Sequence, residues 1–141
     1  LTAVRNYGGV LEHPADSHAW DYFGLVKPRR GMGWITSDNY GGWSCYVEQG
    51  HYGHIARKGT WLYLNGYDIT QPLPELPVTR CEQRLPAYAV ERYGYEKARR
   101  IGVMAAIGGK DKERIRDATP PAFRDLLISI AREANQQRRA A

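Results

Sequence analysis

Four of the chain's eight prolines, Pro72, Pro74, Pro77 and Pro86, fall within residues 71–86. Each fixes its own φ and removes one backbone donor, so neither a helix nor a central strand can run through this stretch. It divides the chain into a front part, residues 1–66, patterned as strands and turns, and a back part, residues 87–141, patterned as helices. Residues 67–86 are then a linker or surface excursion. A chain of 141 residues with 43% hydrophobic residues can bury one core, so the two parts are expected to share it, the helices packing back on the sheet in an α/β arrangement.

In the front part, the Gly8-Gly9 pair precedes the apolar run Val10-Leu11, and Pro14 stops it, which predicts a short buried strand ending in Glu12 and His13. Asp16 and Ser17 offer capping oxygens to a short amphipathic helix carrying Ala19, Trp20, Phe23 and Leu25, read as the crossover after that strand. Residues 27–42 turn to Pro, Arg, Gly, Asn and Tyr and read as a loop with one extended piece at residues 34–36. Alternating aromatic and β-branched residues over 43–49 and 60–64 predict two strands, neighbours in one sheet, joined through the Gly-rich residues 50–59.

Helix-forming composition over residues 87–106 predicts a helix, although Gly94 and Gly102 interrupt it. Thr119 as N-cap, a following proline, and Phe123, Leu126, Leu127 and Ile130 at helical spacing predict the terminal helix, with residues 136–141 expected to fray.

The formal charge of +5 and a pI near 9.3 favour a polyanionic partner, because Lys and Arg release counterions from a phosphate backbone. Arg29 and Arg30, with Tyr40 in the same loop, are candidate nucleic-acid contacts. Two cysteines, Cys45 and Cys81, are too few for a disulfide framework, which fits a reducing cytoplasm. No apolar run approaches a membrane span, and residues 1–5 lack the order of a signal peptide. An opening on Leu, with a strand inside about ten residues, is what a fragment would show.

Three segments stand in order: GGVLEHP at residues 8–14, YGHIARKGTWLYLNG at residues 52–66 and DATPPAFRDLL at residues 117–127. Together they resemble the carboxyl-terminal half of DNA methyltransferases of the cytosine-5 type, or phage-like relatives of that family. In the family a strand closes in Glu-Asn-Pro or Glu-Asn-Val, a Tyr-Gly turn leads through basic residues into a strand closed by Gly, and an Asn-Ala-Val-Pro-Pro-type segment opens the last helix. His13 and Asp117 stand here where the family carries Asn.

The resemblance implies a partial Rossmann-like methyltransferase sheet flanked by helices, its front half supplied by upstream sequence or by a second chain. It implies that Glu12 hydrogen-bonds the ring nitrogen of a flipped cytosine in DNA, that Arg57, Lys58 and Thr60 orient this acid or grip the substrate strand, and that Asp117 and Thr119 contact S-adenosylmethionine. The Pro-Cys nucleophile of the family is absent, so the chain should not methylate by itself. Two competing readings come from the residues alone. One is a stand-alone basic DNA-binding or phage regulatory module without catalysis. The other is a metal-dependent nuclease built on Glu12, His13 and His18, although no closed Cys/His pattern supports a metal site.

Overall fold

The computed structural model describes residues 1–106 and 110–140. Its centre is a hairpin of β3 (Trp43–Glu48) and β4 (Gly59–Asn65), joined through a 3-10 turn at Gln49–Tyr52. The first strand, β1 (Gly9–Pro14), pairs with the far side of β4, and the two-residue β2 (Ile35–Thr36) adds to β3, giving the order β1-β4-β3-β2. The expected pairing of residues 43–49 with 60–64 is thus present, and the extended piece at residues 34–36 is β2. The molecule is α/β with an open four-stranded sheet.

All three ladders are antiparallel, and in this the sheet differs from a Rossmann-like one. The helix after β1 is not a crossover between parallel neighbours, because the chain next enters β2 at the opposite edge. Since β1 and β3 each run against β4, they run parallel to one another with β4 reversed between them.

Strand alternation sends two sets of apolar side chains to two faces. Val47, Leu62 and Leu64, with Val10, pack under Phe123, Ile130 and Ala134 of the terminal helix, residues 121–140. On the other face Trp61, Tyr63 and Leu11 pack against Trp20 and Leu25, with Val4 from α1 (Thr2–Tyr7). Each large side chain buried this way contributes roughly 1.5–3 kcal/mol. Trp20 belongs to α2 (His18–Tyr22), which starts where the sequence predicts: Ser17 Oγ accepts from the Ala19 amide at 3.3 Å. The Trp20 indole donates to Ser44 Oγ at 3.2 Å, so this buried polar pair is satisfied.

In the back part the helix predicted over residues 87–106 is three: α3 (Ala87–Tyr93), α4 (Tyr95–Ile101) and α5 (Val103–Ala106). Gly94 and Gly102 break it by adopting φ 75° and 82°, which glycine alone enters without a Cβ penalty. The buried Ala89, Ala98 and Ala106 let these short helices close on one another. After α6 (Asp111–Asp117) comes α7 (Pro121–Ala140). It begins one residue later than predicted, with Pro120 rather than Thr119 at the capping position, its carbonyl accepting from the Arg124 amide.

Residues 136–140 do not fray from the helix, whereas Ala141 lies outside the described residues. Arg138 donates to the Asn6 carbonyl and to Asn65 Oδ1, Asn135 Nδ2 donates to the Tyr7 carbonyl, and Gln137 Oε1 accepts from the Asp68 amide. These bonds tie the end of α7 to the start of the chain and to the end of β4. Residues 71–86 contain no regular element, as the prolines dictate, yet they are held as a strap. The Trp34 indole donates to the Pro74 carbonyl, the buried Glu48 accepts from the Cys81 amide at 2.8 Å, and Arg57 donates to the Cys81 carbonyl and to Gln83 Oε1.

Candidate functional site

Glu12 lies opposite Leu62 and shares its face of β1 with Val10, which places the carboxylate on the α7 side near the strand's end. Gln49, at the start of the 3-10 turn, is fully buried; its Nε2 donates to Glu12 Oε1 at 3.2 Å and to Thr60 Oγ1 at 2.9 Å. The Thr60 hydroxyl donates onward to the Lys58 carbonyl at 3.1 Å, which fixes the hydroxyl as acceptor from Gln49 and therefore the orientation of the amide. Gln49 Oε1 has no hydrogen-bond partner. Among the described residues Glu12 Oε2 accepts no bond from another side chain.

Lys58 completes the cluster from a strained backbone. Its φ of 43° is left-handed, unusual for a residue with a side chain, and its Nζ donates to the Ala118 carbonyl at 2.8 Å at the foot of α7. Burial lowers its pKa below the ordinary lysine value, while the charges of Glu12 and Asp117 act in the opposite direction. The Lys58 ammonium thus bonds at the foot of α7, and the charge of the strand-end Glu12 acts on it without a hydrogen bond between the two.

The other candidates are distributed differently. Thr60 is fully buried, so its part is to hold Gln49. Arg57 turns to the strap, as described. Arg30 Nη1 lies 3.6 Å from the buried Glu48 carboxylate, whereas Arg29 is exposed. Thr119 lines a cleft of about 510 Å³ with Tyr52, Ile55, Pro120 and Ala122. Asp117 does not line it; its carboxylate pairs with Arg116 at 3.1 Å. Tyr52, His54 and Arg114 line this cleft as well, so it offers a phenol, an imidazole and a guanidinium beside the Thr119 hydroxyl.

Neither thiol is poised as a nucleophile: burial pushes Cys45 up to about 12, and burial with the neighbouring Glu48 carboxylate pushes Cys81 up to about 11. Glu12 and His13, two of the residues on which the nuclease reading rests, do not converge. His13 follows Glu12 on a strand and faces the other way, its Nδ1 on Ser17 Oγ at 3.1 Å and its ring against Trp20. Among the described residues no group of three or more His, Cys, Asp or Glu could hold a metal ion.

Two features escaped the sequence reading. Gln49 is the residue that fixes Glu12, and its signal was a polar side chain ending an apolar strand just before a Gly-rich turn. A second cluster centres on Asp38, whose Oδ2 accepts from Arg5 and from the Tyr63 hydroxyl at 2.9 Å and whose Oδ1 accepts from the Tyr40 and Gly42 amides. Burial works to raise this carboxyl, but the Arg5 bond, with the amides and Tyr63, outweighs it and holds the pKa below the usual range.

No family model, no curated protein and no solved structure matches this chain. No helix among the described residues is long and apolar enough to cross a membrane.

Proposed function

We propose that the chain is the carboxyl-terminal part of an S-adenosylmethionine-dependent DNA methyltransferase acting on a flipped base, cytosine, in the cytoplasm. The observation that carries the reading is the Glu12-Gln49-Thr60-Lys58 cluster, which joins two of the three resembling segments on one side of the sheet. Gln49 engages one oxygen of Glu12 and leaves the other for a ligand. Through that oxygen the acid form of Glu12 donates to the ring nitrogen of an extruded base and withdraws electrons while a nucleophile adds to the ring. The donor, when bound, supplies the methyl group; donor site and nucleophile come from upstream sequence or a second chain.

The sheet supports the same reading in its margins. Helices cover both faces, and the outer edge of β1 is where further strands of a Rossmann-like sheet would add.

Nucleoside analysis of DNA from cells making the complete protein tests the proposal. 5-Methylcytosine should accumulate with the wild type and be lost with Glu12→Gln, while DNA binding persists. Unchanged methylation in Glu12→Gln would overturn it. The second reading, a DNA-binding module without catalysis, is favoured by the two buried, unactivated thiols, and it predicts binding without any modified base.

A further inference from the structure

The positive charge of this chain is not spread over it. Residues 1–79 carry six Lys and Arg against seven Asp and Glu, whereas residues 80–141 carry fourteen against eight. The loop at residues 27–42 therefore belongs to the part with no cationic excess. Where the strap passes the 3-10 turn and α4, two adjoining clefts of about 670 and 540 Å³ share Arg80, Cys81 and Glu82. Arg84, His51 and His54 line the first, and Arg57, Tyr95 and Arg99 line the second.

We propose that these clefts form the track for the phosphate backbone of duplex DNA, with Arg80, Arg84 and Arg99 as its phosphate contacts. The proposal deepens the methyltransferase reading and rests on its DNA substrate. All three arginines are exposed, and none enters an ion pair among the described residues. Glu82 is the one carboxylate among the residues named as lining the two clefts. The strap that carries two of the arginines is anchored at Thr79 by His51, at Cys81 by Glu48 and Arg57, and at Gln83 by Arg57. Backbone fixed in this way presents its side chains without first having to order a loop, which lowers the entropic cost of binding. Tyr95, 59% exposed, adds an aromatic face beside Arg99.

Fluorescence anisotropy of the full chain with a labelled DNA duplex, read as affinity against salt, tests this. Replacing Arg80, Arg84 and Arg99 with Ala should weaken binding by at least about tenfold and lower the slope of log K against log salt by about 3, close to one unit per phosphate contact. Ala at Arg124, Arg132 and Arg139, an equal charge change on the exposed side of α7, should leave the slope nearly unchanged. Glu82→Gln should tighten binding, which keeps the idea testable if the triple variant does not fold. Equal weakening by the two triple variants, no effect of the strap triple, or preference for an RNA duplex would each overturn the proposal. A wild-type chain that binds no DNA contradicts both this and the methyltransferase reading, whereas wild-type binding with an unaffected strap triple contradicts the clefts alone.

Discussion

At the scale of single residues, Lys58 holds two opposing contributions. Its left-handed backbone costs about 1 kcal/mol relative to glycine, and its ammonium repays part of that at the Ala118 carbonyl. Lys58→Ala loses the bond and keeps the strain, while Lys58→Gly loses the bond and relieves the strain. Urea unfolding should therefore rank Gly above Ala at this position by about 0.5–1 kcal/mol; the reverse order would contradict the assigned backbone. Gln49 was not legible as a site residue because its role depends on the 3-10 turn that folds it under β1. The places of Glu12 and Lys58 in the fold were legible, since Pro14 stands two residues after Glu12 and Gly59 directly follows Lys58, marking where their strands end and begin.

At the scale of elements, what holds α7 on the sheet includes a close backbone approach at Gly8. A Cβ there would lie 2.9 Å from the Ala134 carbonyl oxygen, and the φ of 74° is itself costly for any other residue. Gly8→Ala should destabilise the fold by about 2 kcal/mol or more in urea unfolding, and a neutral effect would mean that α7 does not dock there. Pattern alone found most elements: the alternation of β3 and β4, the Ser17 cap and the apolar stripe of α7. It failed on strand direction, because a short apolar run reads the same in parallel and antiparallel ladders. It failed again at the end of α7, where the polar Asn135, Gln137 and Arg138 look like a fraying tail until their partners, sixty or more residues away in sequence, are in place.

At the scale of the molecule, two carboxylates fasten distant parts of the chain. Asp38 joins α1 to the β2-β3 turn through Arg5, and Glu48 holds the strap. Burial acts to raise both pKa values, but hydrogen bonds to Asp38 from Arg5 and to Glu48 from the Cys81 amide outweigh it and leave both lowered. A carboxyl lowered on folding adds stability above its unfolded pKa of about 4 and withdraws it as pH falls through the lower folded value. Unfolding free energy should thus drop below about pH 4, and less steeply in Asp38→Asn; equal stability at about pH 3 and pH 7 would contradict these ties. The strap was legible as irregular but not as fixed, since proline reports the absence of regular structure and says nothing of what pins it.

The central claim is that Glu12, held by Gln49 beside Lys58, works on an extruded base. Its most direct test is the rate of labelled methyl transfer from S-adenosylmethionine to duplex DNA by the complete protein. Glu12→Gln should reduce that rate by about a hundredfold or more while the affinity for DNA stays within about twofold, because the carboxylate acts on the reacting ring and not on the phosphates. Transfer at the wild-type rate in Glu12→Gln would contradict the account.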